Sequence, residues 1–208
     1  MNDSVLKTLT VSFVVCLFCS LIVSFAAVSL RDAQNLNKLN DQRVKILKTA
    51  AIYNPEESIE SQFVRLTPKF VDFSNGLLLD EFEDLDLTTY DPVYFSKQAD
   101  YSTPVPADLD IAIVKNKEKI GKIYLLKDFN NNLEKIILPI RGYGLWGTLY
   151  GYIAIDKDLN TIRGLEFYEH KETPGLGAEV DNPKWKALWD GKKIYKDGVI
   201  EIAVIKGK

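Results

Sequence analysis

The first hydrophobic feature of the chain is an uncharged stretch from Thr8 to Leu30, which Lys7 and Arg31 bracket on either side. As a helix with 1.5 Å rise per residue, such a stretch covers about 30 Å, the thickness of the hydrocarbon core of a bilayer. A cleaved signal peptide is disfavoured, because its apolar region runs only about 7–15 residues. The pattern predicts a single membrane-spanning helix within residues 1–30.

A polar segment with a helical repeat of apolar positions follows. The apolar positions are Leu36, Leu39, Val44, Leu47 and Ala51, with Asn, Lys, Asp and Arg between them. Asn54-Pro55 is a stop signal, because proline disfavours helical geometry in the residue before it. We therefore predict an amphipathic connecting helix over residues 31–54, which lifts a soluble domain off the bilayer.

The soluble domain, residues 55–208, opens with a second helical signal. Asn54-Pro55-Glu56-Glu57 has the form of an N-cap, a proline at the first helical position and first-turn acids. Ile59, Phe63 and Leu66 follow at helical spacing, and Thr67-Pro68 is expected to end this helix.

Strand patterns dominate the rest of the domain. Segments rich in Ile, Val, Leu, Tyr and Phe lie at 69–73, 111–114, 121–126, 133–139, 148–155, 161–168 and 199–205. Turn residues at 116–119 and 156–158 separate several of them, and such short links are typical of antiparallel hairpins. Residues 77–106 lack clear periodicity and predict a partly irregular insertion.

One further short helix is expected at Asn182-Pro183, where Trp185, Leu188 and Trp189 form an apolar stripe for core packing. The predicted fold class is therefore α+β: a single N-terminal transmembrane helix, then a mainly antiparallel sheet domain with flanking helices.

Charge and cysteine content limit which binding partners and which cysteine-based sites are expected. The formal charge of −3 leaves no basic footprint, so nucleic acid is not expected as a partner. Acidic residues accumulate between Lys69 and Lys97, as a solvated face or as a docking face for a basic subunit. The two cysteines, Cys16 and Cys19, lie inside the apolar stretch, which excludes a disulfide framework in the domain. Their spacing fits small residues packed in a membrane helix, or half of a redox or metal site.

Candidate chemistry is confined to two glycine-rich loops. The chain has a single histidine, His170, and no phosphate-binding or nucleophile-elbow motif, so we expect no catalytic or metal-ligating residues. The loop from His170 to Gly177 follows a predicted strand, and the loop from Arg141 to Gly147 precedes one. Flexible backbone, an aromatic side chain in Trp146 and a cation in Arg141 suit a planar, anionic cofactor such as a flavin nucleotide. Each loop is equally compatible with a purely structural turn.

The same residues carry a family resemblance. Gly142-Tyr143-Gly144-Leu145-Trp146, the loop His170 to Gly177 and Asn182-Pro183-Lys184-Trp185 resemble the FMN-binding domain of the C subunit of bacterial Na+-translocating NADH:quinone reductases. The similarity covers nearly the whole chain. The G subunit of the related ion-pumping ferredoxin:NAD reductases shares the domain and the loop, but the context of Trp146 and the long N-terminal helix favour the C subunit.

The resemblance implies an electron-transfer subunit that is not catalytic alone. It would relay electrons through FMN toward quinone, and would reach NADH and quinone only through other subunits of a membrane complex. The expected FMN-binding residues are Trp146, Gly147, His170, Glu172, Thr173, Gly175, Leu176 and Gly177. The alternative is an assembly or structural membrane protein that lacks the cofactor.

The resemblance has two further implications. It places the chain in a bacterial inner membrane with the domain on the periplasmic side. The positive-inside count favours the cytoplasmic side instead, because positive charges follow the apolar stretch at Arg31, Lys38, Arg43, Lys45 and Lys48. We follow the resemblance. It also implies FMN bound as a phosphoester to the last threonine of a Ser/Thr-Gly-Ala-Thr motif downstream of residues 199–208. The sequence ends at Lys208 without that motif, so we expect a truncated chain, in which Thr173 lines the pocket but does not attach the flavin.

Overall fold

The first of two compact units is helical. The computed structural model describes residues 4–204, and the chain divides between Asp41 and Gln42. Helix α1, Val5–Ser29, is capped by Ser4, whose hydroxyl accepts a hydrogen bond from the Lys7 amide at 3.3 Å. Its length and composition are those of a helix that crosses a membrane, which agrees with the sequence prediction.

Helix α2, Arg31–Thr49, ends at Thr49 rather than at Asn54 as predicted. Ala51 has a φ of +60°, and the Ile52 and Ala51 amides donate to the carbonyls of Leu47 and Lys48. These bonds form a Schellman motif, which satisfies the last carbonyls of the helix and turns the chain away. The sequence did not indicate this helix end, because the left-handed position, here Ala51, is normally taken by glycine.

Helix α3, Ile59–Phe63, begins later than predicted. Its N-cap is Ser58, whose hydroxyl accepts from the Ser61 amide at 3.2 Å. Asn54 instead forms a turn by accepting from the Glu56 amide at 3.1 Å. Leu66, which was expected inside this helix, is the first residue of a strand.

The remaining elements surround one antiparallel sheet. Its six strands lie in the order β2-β1-β5-β6-β7-β8, and every neighbouring pair is antiparallel. The strands are β1 Leu66–Asp72, β2 Leu78–Leu79, β3 Ser102–Pro104, β4 Asn116–Glu118, β5 Ile120–Lys127, β6 Leu133–Tyr143, β7 Thr148–Asp156, β8 Ile162–Glu169, β9 Tyr195–Lys196 and β10 Val199–Ile200. The short helices are α4 Pro92–Phe95 and α5 Pro183–Ala187, with 3-10 turns at Ala99–Tyr101 and Gly177–Asp181. The α+β fold class and the antiparallel hairpins are confirmed.

Three predicted segments differ from the structure. Residues 111–114 form no strand, because the Asp110 carboxylate accepts from the Val114 and Lys115 amides at 2.8 and 2.7 Å and bends the chain. Residues 116–118, expected as a turn, form β4. The predicted strand at 199–205 is limited to Val199–Ile200, and residue 205 lies outside the described residues.

The main core lies between the sheet and the end of α2. Its buried members include Ile46, Leu47, Leu66, Leu126 and Ile137. Residues 77–106 have short elements only, as predicted, and pack over a second cluster of buried residues, namely Phe70, Tyr90 and Ile120. The two clusters therefore pack helical and irregular segments against the sheet.

Buried tyrosines make the fold sensitive to alkali. Burial raises the pKa of Tyr124 to about 12, and it also raises the pKa values of Tyr90, Tyr152 and Tyr168. In the unfolded chain each phenol ionises near pH 10, so the stabilising contribution of Tyr124 is fully present below about pH 10 and is lost as the pH rises toward about 12. For Tyr124 the loss amounts to roughly 2–3 kcal/mol.

We therefore expect Tyr124→Phe to flatten the fall in unfolding free energy between about pH 10 and 12. Denaturant titrations of the detergent-solubilised chain at several alkaline pH values measure this slope. Tyr94→Phe is the matched control, since Tyr94 is 57% exposed. Equal slopes for the wild type and Tyr124→Phe would contradict the assignment.

Candidate functional site

The tip of the hairpin between β6 and β7 forms the first half of the site. The two strands stay in register up to the pair Tyr143 and Thr148, and the Gly144 amide donates to the Gly147 carbonyl at 2.8 Å. This turn leaves Leu145 and Trp146 with 76% and 63% of their surfaces exposed. Two large apolar side chains on one tip are suited to contact a ligand or partner.

The loop after β8 forms the second half. The Thr173 carbonyl accepts hydrogen bonds from the Leu176 and Ala178 amides at 3.1 and 3.2 Å, which closes a tight turn. Gly175 has a φ of +75° within this turn, a conformation that glycine adopts without steric cost. The turn leaves Leu176 73% exposed.

Glu172 joins the two halves. Its Oε1 accepts hydrogen bonds from the Leu145 and Trp146 amides at 3.0 and 3.1 Å, and the residue is only 8% exposed. Gly144 and Gly177 flank the carboxylate so closely that a Cβ at either position would lie 2.4 Å from one of its oxygens. A side chain at either position would therefore displace this carboxylate.

His170 fixes the main chain of the same loop. Its Nδ1 accepts from the Glu172 amide at 3.2 Å, and its Nε2 lies 2.8 Å from Asp181 Oδ2. Since Nδ1 accepts, the hydrogen-bond network assigns the N–H proton of the neutral ring to Nε2, which donates to Asp181. The imidazole ring thus connects the loop to the 3-10 turn at Gly177–Asp181.

The groups left open are of the kinds that bind a flavin nucleotide. Apolar Trp146 and Leu176 offer contact for a planar ring. Within residues 4–204, the amides of Thr173, Gly175 and Gly177 donate to no protein acceptor, so they are available to carbonyl or phosphate oxygens. The exposed and open surroundings of Gly175 allow close approach of a ligand to the backbone. The donor set and the apolar surface therefore fit FMN.

Three neighbours of the site were missed by the sequence analysis. Lys171 packs its aliphatic chain over Gly147, where a Cβ would lie 3.0 Å from Lys171 Cδ, and it carries a positive charge next to the hairpin tip. Leu145 shares the exposed tip, and Asp181 orients His170. Lys171 and Leu145 each adjoin a predicted site residue in the sequence, whereas Asp181 joins the site only through the fold.

Arg141, Trp185 and Trp189 have other partners. The Arg141 guanidinium pairs with Glu118 at 2.6 Å and donates to the Asn116 carbonyl at 3.2 Å, so it connects β6 to β4. Arg141 is therefore paired with Glu118 and does not serve as the cation for a cofactor that the sequence suggested. Trp185 and Trp189 pack edge to face with centroids 5.4 Å apart, and both are half-buried.

A cleft elsewhere in the domain has a volume of about 470 Å³. It lies beside β1, β4 and β5, and its lining includes Asp72, Phe82, Thr103, Lys117 and Lys119. None of the residues of the two loops lines it. The candidate site is thus an exposed surface rather than this cleft.

Comparison with known proteins places the hairpin tip and the loop after β8 within one domain. Residues 144–206 match the model of the FMN-binding domain, so the match begins at the hairpin tip and includes the whole loop after β8.

The chain is also similar over nearly its full length to named relatives. It is 44% identical over 211 residues to the C subunit of the Na+-translocating NADH-quinone reductase of Pseudomonas aeruginosa, a match that covers 99% of this chain and 79% of that protein. The corresponding subunit of Vibrio anguillarum is 40% identical over 208 residues, with coverage of 99% and 79%.

Solved structures agree with this similarity. The crystal structure of the Shewanella oneidensis protein, NqrC, has a TM-score of 0.71 at 29% identity and covers 80% of this chain and 76% of that one. The C subunit of the Parabacteroides distasonis Na+-translocating NADH-quinone reductase has a TM-score of 0.64 at 29% identity, with coverage of 85% and 77%.

Proposed function

The chain belongs to the C-subunit family of the Na+-translocating NADH-quinone reductase and FMN is its cofactor; we propose that it relays electrons through FMN toward quinone. As a subunit of an oxidoreductase complex, it has the other subunits as partners. NADH and quinone then react on those subunits, and this chain serves as an intermediate carrier in a sodium-translocating enzyme.

One observation carries the proposal: two loops distant in sequence are joined through Glu172 and expose apolar side chains, together with amides that have no protein acceptor within residues 4–204. The residues placed at or around the FMN site are Trp146, Gly147, His170, Glu172, Thr173, Gly175, Leu176 and Gly177. Trp146 and Leu176 would contact the ring, and the loop amides would donate to its polar edge or phosphate. Lys171 would offset the negative charge of the phosphate.

The chain's own groups act by binding and tuning. FMN, when bound, supplies the electron-transfer chemistry, so no general acid or base is required from the protein. Backbone amides that donate to the ring stabilise added negative charge and therefore raise its reduction potential. The apolar side chains exclude water from the ring and strengthen these hydrogen bonds.

Helix α1 supplies the membrane attachment in this proposal. We place it as a single pass through the bacterial inner membrane, with the domain on the periplasmic side. The helix contains no Asp or Glu, so it offers no carboxylate to carry a cation through the hydrocarbon. The sodium path is thus assigned to partner subunits.

Flavin content of the full gene product tests the proposal. We expect flavin absorbance in the purified complex, and fluorescence retained by the denatured polypeptide if FMN is attached covalently. Trp146→Ala combined with Leu176→Ala should weaken the noncovalent binding of added FMN to the 208-residue chain by about tenfold or more, because each lost apolar contact costs on the order of 1 kcal/mol or more. Phe129→Ala, an exposed aromatic residue outside the two loops, is the control. A full product that folds without flavin would overturn the proposal and favour an assembly role.

A further inference from the structure

Glu172 lies at the junction of the two loops, and we propose that it is a positioning residue for the flavin rather than one of its ligands. Its carboxylate would hold the hairpin tip against the loop after β8 and so set where Trp146 meets the ring. This inference rests on the proposed flavin function, and it assigns a role that the similarity to known proteins does not specify.

Glu172 restrains the hairpin tip through two hydrogen bonds. One oxygen, Oε1, accepts from two successive amides, those of Leu145 and Trp146. Inside the turn, the Gly144 amide donates a backbone hydrogen bond to the Gly147 carbonyl. A tip with one internal bond and two exposed apolar side chains is easily displaced, and a charged acceptor with two amide donors restrains it strongly.

The Glu172 side chain is also enclosed. Glu172 is buried, whereas residues 171 and 173–177 on either side are exposed. Gly144 and Gly177 close on the carboxylate from two sides, with no space for a Cβ at either glycine. The side chain thus fits a slot made of backbone, and a shorter residue would leave that slot empty.

The main chain of Glu172 is restrained as well. Its amide donates to His170 Nδ1, and His170 is in turn held by Asp181. Glu172 is therefore fixed at both ends: its backbone by the loop and its carboxylate by the hairpin. Any force on the hairpin tip is carried to the loop that presents Leu176 and the open amides.

The matched variants are Glu172→Ala, Glu172→Gln and the control Glu179→Ala, all made in the full chain and purified within the complex. Glutamine keeps one carbonyl oxygen for the two amides, whereas alanine keeps none. Glu179 belongs to the neighbouring 3-10 turn, and its side chain is exposed and accepts a hydrogen bond from Asn182.

Two measurements test the inference: amide hydrogen exchange at Leu145 and Trp146, and the midpoint potential of the bound FMN. Glu172→Ala should accelerate exchange by about tenfold or more, since bonds to a charged acceptor are worth about 1.5–3 kcal/mol, and should shift the potential. Glu172→Gln should restore part of both, and Glu179→Ala should change neither.

Unchanged exchange in Glu172→Ala would overturn the inference. Faster exchange with an unchanged potential would also overturn it, because the hairpin would then be held but would not affect the flavin. Neither result affects the proposed function, which fails only if the wild-type product lacks flavin. Should Glu172→Ala not fold, Glu172→Gln alone decides, by the same two measurements.

Discussion

Replacing Gly164 by alanine is expected to lower the free energy of unfolding by about 3 kcal/mol. Gly164 lies in β8, and a Cβ there would approach the Thr49 carbonyl oxygen to 2.1 Å and the Thr49 carbonyl carbon to 3.0 Å. These are backbone atoms at the end of α2, where Thr49 is fully buried. No side chain can rotate away, so the end of the helix would have to shift off the sheet.

Chemical denaturation of the detergent-solubilised chain measures this loss. Gly142→Ala is the matched control, because Gly142 also lies in a strand and a Cβ there would meet only Ala112, whose Cβ would be at an ordinary 3.6 Å. We expect that control to remain within about 0.5–1 kcal/mol of the wild type. Equal stabilities for the two alanine variants would show that α2 does not pack on β8 in this way.

The second large effect is expected at Glu166. Its Oε2 lies 3.1 Å from Lys45 Nζ and 2.6 Å from Lys186 Nζ, so one carboxylate on β8 joins α2 to α5. The three side chains are 12–28% exposed. Glu166→Gln would leave two largely buried ammonium groups without their shared anion, and should destabilise the protein by roughly 2–4 kcal/mol.

The matched control for this prediction is Glu60→Gln. Glu60 pairs with Arg43 at 4.0 Å and is 70% exposed, so its charge should contribute no more than about 0.5 kcal/mol. Denaturant titration of both variants provides the comparison. A loss below about 1 kcal/mol for Glu166→Gln would mean that water solvates the two lysines and that the pairings contribute little.

Elements defined by neighbouring residues were predictable. The hairpin of β6 and β7 follows from two runs of strand-forming residues joined by glycines, and it pairs in register from Lys135–Asp156 to Tyr143–Thr148. The N-cap of α5 was predicted from Asn182-Pro183, and Asn182 accepts from the Lys184 amide at 3.0 Å. Such signals act over a few residues, so the sequence contains them completely.

The strand prediction failed where a side chain hydrogen-bonds to the neighbouring backbone amides. Residues 111–114 have strand composition, yet Ile111 is 93% exposed and Ile113 has a φ of +52°. The Asp110 carboxylate takes up the two amides that a neighbouring strand would need. An aspartate before an apolar run gives little warning of this outcome, because the same residue also occurs at strand ends.

The sequence by itself determined the apolar helix and the antiparallel hairpins, because each depends on local spacing, and its resemblance to a known family implied FMN. Only the tertiary structure decided what the site residues do. Glu172 and Leu145 are 27 residues apart, and nothing near either residue specifies that a buried carboxylate will meet the hairpin amides. A buried charge is placed by whichever donors the fold brings to it, and those donors are known only when distant strands have packed.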